Sequence, residues 1–406
     1  MPENDEPLLG SDRLKGILFG NYTPLEINAA LTPLEQSLSN EGSATLKAFV
    51  LSCIIVVTAI GNILVCVSVM SVRRLRHPSN YLLVSLAVSD LCVALLVMPF
   101  AMYFDVVGKW YLGNTICDLW VSFDVASCTA SILNLCMISV DRYMAITRPL
   151  TYGVRRTSKR ICVYVAGVWT MACLISIPPV IVLGNEHGTD EEPGCQVCQS
   201  IAYQLYATLG AFYIPLIIMI VMYYKIYAAA KRVVDADQRA QINPQVLLNK
   251  GDGWHGGNSE MSNGADDSIK TSAGVSSAPH NWHNNMKRST MMRERKASIT
   301  LGIIMSAFTI CWVPFFILAL LEPLIKYDPG PAIKSFTLWL GYSNSMLNPV
   351  IYVTFHQDFR RAFRELLRCH WSTLNSRLRD DYYLRTYTLE GAAAEGNGNI
   401  HVTNHA

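Results

Sequence analysis

Asp124 stands in the run WVSFDVASCT, inside an otherwise uncharged stretch from Leu119 to Val140. A carboxylate in the middle of a membrane span costs about 2.5–3.5 kcal/mol on translocon scales, so its presence calls for a partner. Its chemistry is ion pairing with a cation, and no Lys or Arg stands at a matching depth in the other apolar stretches. A ligand ammonium entering from outside fills that role. The alternative is a structural hydrogen bond, with Tyr342 the candidate donor. Trp312, Phe315, Phe316 and Ala319 fall at i, i+3, i+4 and i+7, one face of a helix. Such a face stacks on a ring or holds an ammonium by cation–π attraction, although aromatic stripes also serve core packing. Trp339 and Tyr342 share a face further along, while Ala207, Thr208 and Ala211 offer a small-sided surface with one hydroxyl. Val125, Cys128, Thr129 and, in an outer loop, Val197 complete the expected lining. Carboxylate, aromatic wall and single hydroxyl describe a pocket for a small aromatic amine.

Two further constellations lie deeper. Asp90, in SLAVSDL, joins Asn62, Asn344, Ser345 and Asn348 in an expected polar cluster. That cluster holds either a sodium ion with waters or a hydrogen-bonded water network without an ion. Asp141, Arg142 and Tyr143 mark the inner end of the third apolar stretch, and Glu294 is a candidate partner for Arg142. A bridge there latches two helices, and breaking it releases one of them, as a two-state switch requires.

The elements that position these residues follow from composition. The chain of 406 residues is 51% hydrophobic and 16% charged, against about 25% charged in soluble domains. A net charge of +2 gives no basic excess of the kind that suggests nucleic acid. The apolar residues gather in seven blocks, about 46–72, 80–104, 115–140, 161–184, 201–228, 299–321 and 335–355, each near the 20 residues a spanning helix needs. Pro99, Pro215, Pro314 and Pro349 lie inside blocks, where neighbouring helices re-satisfy the freed backbone groups. The expected fold is an all-α membrane protein, a seven-helix bundle.

Loop charge sets the orientation. Arg73, Arg74 and Arg76 follow the first block, and Arg148, Arg155, Arg156, Lys159 and Arg160 follow the third. The loop at 185–200 instead carries Glu186, Asp190, Glu191 and Glu192 without Lys or Arg. The N-terminus is therefore expected outside, and Asn21-Tyr22-Thr23 is a glycosylation acceptor in that tail. No basic region followed by an apolar core precedes residue 46, so the first span is expected to act as its own insertion signal. The expected organisation is an outer tail (1–45), spans one to five (46–231), a disordered third inner loop (232–290), spans six and seven (291–355), a surface helix (356–370) and an inner tail (371–406). The surface helix places Phe359, Phe363 and Leu366–Leu367 on one face with arginines opposite, so it lies on membrane lipid. Cys369 is there as a palmitate site or an unmodified thiol. Of the 12 cysteines, Cys117, Cys195 and Cys198 lie on the outer side, where a disulfide is permitted; one of the last two ties the loop to the third helix.

Gly61-Asn62, Leu86-Ala-Val-Ser-Asp90, Asp141-Arg-Tyr143, Trp169, Pro215, Cys311-Trp-Val-Pro314 and Asn348-Pro-Val-Ile-Tyr352 together resemble the rhodopsin-like G-protein-coupled receptors across every span. Asp124 seven residues after Cys117, Phe315–Phe316 and Trp339–Leu340–Gly341–Tyr342 look like the biogenic-amine subgroup. Ala211 with Thr208, and the run CTASILNLCMISVDRYMAITRPLTY, are similar to serotonin receptors of types 7 and 1. A departure is Ala207, where many of those receptors have a hydroxyl residue. The resemblance implies that Asp124 pairs with the ligand ammonium and that Cys117 bonds the second outer loop, through Cys195 or alternatively Cys198. It implies an amine ligand, serotonin ahead of octopamine, tyramine and dopamine. It also implies a heterotrimeric G protein, stimulatory by the type 7 likeness and inhibitory by the type 1 likeness, with arrestin and receptor kinases as further partners. Arg142, Asn348, Pro349 and Tyr352 are then switch residues, at the plasma membrane, without covalent chemistry.

Rival classes fit less well. A retinal protein needs a lysine within the last span, and Lys334 lies at its outer edge. A transporter is expected to carry inverted repeats, and none is visible. A hydrolase needs a nucleophile–base or metal set in the spans, yet His77, His356 and His370 are at the inner surface.

Overall fold

The computed structural model of the chain describes residues 24–148, 152, 156–251, 278–369, 375–377 and 379; for 24–41, 179, 230, 233, 234, 236–251, 278–299 and 301 it describes the backbone alone. Asn21 lies outside the described residues. The helices are α1 (Pro24–Ser71), α2 (Asn80–Val107), α3 (Asn114–Thr147), α4 (Ser158–Leu183), α5 (Ile201–Thr208, a π-helical turn Leu209–Tyr213, then Ile214–Gly251), α6 (Ala278–Ile325), α7 (Pro331–Phe355) and α8 (Gln357–Leu367). Gly108 and Gly184 end α2 and α4 with φ of 76° and 71°, positive values that carry no Cβ penalty in glycine. The Ser200 hydroxyl accepts from the Tyr203 backbone N–H and opens α5.

Six of the helices are long and apolar enough to cross a membrane by themselves: Gly42–Ser71, Asn80–Val107, Asn114–Thr147, Ser158–Leu183, Ile201–Ala229 and Gly302–Ile325. α7 falls short on that measure, its most apolar stretch being diluted by Ser343, Asn344, Ser345 and Asn348. Its polar side chains point inward, with Thr337, Asn344, Ser345 and Asn348 buried while Phe336 and Val350 face outward. The whole bundle shares that inversion. Phe49, Ile181, Val182 and Ile310 are exposed, and Asn62, Asp90, Asn134 and Asn348 are buried, the distribution expected when the surroundings are hydrocarbon.

Packing centres on α3, which touches α2, α4, α5 and α6, while α7 closes the ring against α1 and α6. The second helix contains a π-helical turn, Val93–Val97, just before Pro99, and the fifth has its own beside Thr208. One extra residue per turn re-aims the side chains that follow, and the second of these turns carries Ala211 of the expected lining.

Three expectations are amended. A two-stranded antiparallel hairpin, β1 (Glu186–Gly188) with β2 (Pro193–Gln196), adds a small sheet to the all-α fold. α5 runs on to Gly251 and α6 starts at Ala278, so both ends of the 232–290 segment are helical; between Gly210 and Gly251, where the Gly-rich run begins, α5 has no glycine. On α8 the buried face is Phe359, Ala362, Phe363 and Leu366, and Leu367 is exposed. An apolar face at i, i+3, i+4 and i+7 excludes its i+8 neighbour at this helix end.

Candidate functional site

Asp124 projects from the third turn of α3 and is half-buried. Both of its hydrogen-bond donors are neutral: the Tyr342 hydroxyl at 2.9 Å and the Cys128 thiol at 3.3 Å. Among the described residues no Lys, Arg or His pairs with it. The structural donor considered from sequence is thus present, and the negative charge remains uncompensated. Tyr342 is fully buried and stands edge-on to Trp339 (centroids 5.6 Å, 89°) and to Trp312 (6.4 Å, 83°). Trp312 in turn meets Phe315 at 5.8 Å and Phe316 at 5.7 Å, and Phe212 of α5 stacks on Phe316 at 4.2 Å. Edge-to-face and offset rings at these separations attract beyond their area burial. They form one continuous aromatic wall from α5 through α6 to α7, anchored on the carboxylate of α3.

The remaining lining residues are placed as follows. Thr208 is buried and donates its hydroxyl to the Gln204 carbonyl of its own helix, which leaves the oxygen's lone pairs to accept. Ala211 is buried, and Ala207 and Ala319 are half-buried. Thr129 is buried, and its Oγ1 has no partner. Val125 and Val197 pack, partly buried, against the core. Direct hydrogen bonds and ring contacts therefore join Asp124, Cys128, Tyr342, Trp339, Trp312, Phe315 and Phe316, while the others contribute surface.

The loop between α4 and α5 is held over this end of the bundle. Cys117 at the top of α3 is bonded to Cys195 in β2, and Cys198 is a half-buried thiol. Asn185 Nδ2 and His187 Nε2 lie 2.9 and 3.0 Å from Asp118 Oδ1, and the Trp110 backbone N–H donates to the Pro193 carbonyl at 2.9 Å.

Deeper in the bundle, Asp90 is fully buried and accepts from Ser131 Oγ (2.7 Å), Asn348 Nδ2 (2.8 Å) and Ser345 Oγ (3.0 Å). Asn62 Nδ2 donates to the Ser345 carbonyl at 3.0 Å. Ser131 was not among the residues expected. Asn344 is buried with an unpartnered Oδ1, as are the Oδ1 atoms of Asn62 and Asn348. A carboxylate, hydroxyls and orphaned amide oxygens make an oxygen-rich donor set that fits a hard cation.

Near the C-terminal end of α3, Asp141 is 1% exposed and receives the Tyr152 hydroxyl at 3.0 Å, Arg156 Nε at 2.9 Å and Arg156 Nη2. Tyr152 and Arg156 escaped the sequence reading, which took Arg156 for one of several loop cations. Burial, then the Asp141 carboxylate, pushes the Tyr152 phenol up to about 12. Arg142 is half-buried one residue on; the Glu294 side chain lies outside the described residues, so their bridge stays an expectation. Lys225 Nζ sits 5.9 Å over the Tyr143 ring. Tyr352 is buried beside Phe359 at 5.8 Å, and Pro349 lies against Gly61. Cys369 is exposed just past α8.

Comparison with known proteins follows the same lines. The family description "7 transmembrane receptor (rhodopsin family)" matches residues 61–352. The chain is similar to "5-hydroxytryptamine receptor 1" of Drosophila melanogaster, 48% identical over 356 residues, covering 78% of this chain and 63% of that relative. It is 41% identical to "5-hydroxytryptamine receptor 7" of Xenopus laevis (81% of this chain, 78% of the relative). It is 38% identical to the human "5-hydroxytryptamine receptor 1F" (82% and 96%). The match ends within α7, short of α8, and takes in Asp90, Asp124, Asp141 and Tyr352. With that span of similarity on an inverted helical bundle, the chain belongs to the rhodopsin family of seven-transmembrane receptors, multi-pass proteins of the plasma membrane rather than enzymes.

Proposed function

We propose that the chain is a receptor for a small aromatic amine, serotonin above octopamine, tyramine and dopamine, and that it signals through a heterotrimeric G protein. The observation that carries this reading is Asp124, a half-buried carboxylate with neutral donors at one end of an aromatic wall. The relatives' names support serotonin in particular. The ligand ammonium pairs with Asp124, and the ring lies along Trp312, Phe315 and Phe316. A ring hydroxyl donates to Thr208 Oγ1, whose own proton is committed to Gln204. A ligand shifts the bundle only by binding its two states unequally. Contact with Trp312 biases α6 about Pro314, with Pro215 the bend in α5, and opens the inner face around Arg142.

The N-terminus is outside on this reading, in keeping with the basic inner loops and the disulfide at the opposite end. Asn21 is then open to glycosylation, α8 lies on the inner lipid surface, and Cys369 is available for palmitate. Arrestin and receptor kinases act on the inner face. Asp90, Ser131 and Ser345, with the orphaned oxygens of Asn344 and Asn348, would hold a sodium ion. Bound there, it supplies a positive charge that holds these helices together.

Coupling is stimulatory by the type 7 likeness. Inhibitory coupling is the second reading, favoured by the relatives named as type 1 receptors. Cyclic AMP measured in cells across the four amines tests both. A rise at the lowest dose of serotonin supports ligand and coupling, a fall below forskolin-raised levels reverses the coupling, and silence to all four with the protein at the surface refutes the amine reading.

A further inference from the structure

Asp105, near the outer end of α2, takes no part in the pocket described above, yet it gathers three helices. Its Oδ2 accepts from Trp339 Nε1 at 2.6 Å and from Ser335 Oγ at 2.6 Å, both on α7. Its Oδ1 lies 3.6 Å from Lys47 Nζ on α1, and that ammonium donates to the Asp105 backbone carbonyl at 3.1 Å. The carboxylate is 19% exposed and Lys47 41%, so the Lys47 contact is the wet side and the Trp339 contact the dry one. A charge-assisted hydrogen bond is roughly twice as strong as a neutral one, and it fixes the indole about the axis a ring contact leaves loose. The chain of contacts then runs inward. Trp339 stands edge-on to Tyr342 at 5.6 Å and 89°, and the Tyr342 hydroxyl donates to Asp124 Oδ2 at 2.9 Å.

We propose that Asp105 is a positioning residue for the ligand site: by holding the Trp339 N–H it fixes Tyr342, and through Tyr342 the direction in which the Asp124 carboxylate faces. The proposal rests on the amine reading above. Asp105 does not touch the ligand; it sets how well the ligand's partner is aimed. Trp339 is therefore more than a wall, because its N–H is the handle by which the outer ends of α2 and α7 act on α3.

The test is serotonin binding to membranes carrying Asp105→Ala, Trp339→Phe, Lys47→Met, Ser335→Ala and the double variant Asp105→Ala/Trp339→Phe. Trp339→Phe keeps a ring and removes the N–H. Asp105→Ala and Trp339→Phe should each weaken binding about tenfold, within the usual range of coupling between sites, and the double variant should be no weaker than either. Lys47→Met and Ser335→Ala, which cut helix contacts of Asp105 but spare the Trp339 bond, should leave affinity unchanged. Additive losses in the double variant, or equal losses on cutting Lys47, would overturn the proposal in favour of plain helix packing. A 5-fluorotryptophan resonance assigned to Trp339 by its loss in Trp339→Phe supplies a readout without ligand: it should move in Asp105→Ala and stay in Lys47→Met, and the reverse pattern overturns the proposal. Wild-type membranes that bind none of serotonin, octopamine, tyramine and dopamine refute the amine reading and this proposal together. Wild-type binding with an insensitive Asp105 refutes this proposal alone.

Discussion

Gly341→Ala adds a methyl group where the bundle has no room for one. A Cβ built at Gly341 lies 2.7 Å from Cζ3, 2.8 Å from Cε3 and 3.0 Å from Cη2 of Trp312, roughly 0.8 Å inside the near edge of comfortable carbon contact. The indole cannot retreat easily: it is 5% exposed and bounded by Phe315, Phe316 and Tyr342. Overpacking of this kind costs about 1–3 kcal/mol, and a rigid ring places it toward the upper end. Replacing glycine by alanine in a helix returns up to about 1 kcal/mol, so the net loss is about 1–2 kcal/mol. Gly302 is the internal control. A Cβ there meets the Tyr223 hydroxyl and ring at 2.6–2.8 Å, but that ring is 37% exposed and swings clear. The two substitutions therefore carry opposite signs. In detergent, Gly341→Ala should melt below wild type and Gly302→Ala at or above it. Because Trp312 also forms the pocket wall, Gly341→Ala should bind serotonin about tenfold more weakly, the equivalent of about 1.4 kcal/mol. A Gly341→Ala receptor that melts and binds like wild type would refute the packing argument.

Other expectations follow from single contacts. Cys117→Ala removes the Cys117–Cys195 bond across 78 residues and should cost about 2–5 kcal/mol, read as a lower melting temperature that reductant no longer changes. Asp141→Asn leaves Arg156 facing an amide at a site where the carboxylate is 1% exposed. Breaking such a buried pair costs about 3–5 kcal/mol, so thermal stability should fall, read as a lower melting temperature in detergent. His77 supplies a pH dependence. Lost hydration, then the Arg156 and Arg142 charges, hold its imidazole below the ordinary 6.5, so the unfolded chain takes up a proton that the folded one resists. Stability is then fully present above about pH 6.5 and falls as pH drops through that value toward the folded pKa; in melting curves His77→Asn should flatten that slope.

The parts legible in sequence are those where function and periodicity coincide. Asp124, the i, i+3, i+4 set on α6, and Trp339 with Tyr342 announce themselves because a charge or ring in a span has few uses. The all-helical architecture followed from block lengths alone, yet α7 is the block whose polar residues defeat a hydropathy measure, since they face inward. Contacts between segments distant in sequence stayed hidden. Arg156 lies fifteen residues beyond Asp141 with no helical spacing to link them, and Asp105 reaches Trp339 across 234 positions. The pairing of Cys117 was the exception: the resemblance put Cys195 ahead of Cys198, and the hairpin, which places β2 beside α3, bears that out. The C-terminal end of α5 and the N-terminal end of α6 were missed because polar helix formers resemble a solvated loop in composition.

The central claim is that Asp124 holds a ligand ammonium, and serotonin binding to purified wild type, Asp124→Asn and Asp124→Glu tests it most directly. Truncating one partner of a buried, hydrogen-bonded charge pair costs about 2–5 kcal/mol. The account predicts that Asp124→Asn loses at least about thirtyfold in affinity, with a melting temperature close to wild type because Tyr342 can still donate to the amide oxygen. Asp124→Glu, which keeps the charge and misplaces it, should fall between the two. Serotonin bound by Asp124→Asn as tightly as by wild type would contradict the claim and leave the carboxylate as a structural partner of Tyr342.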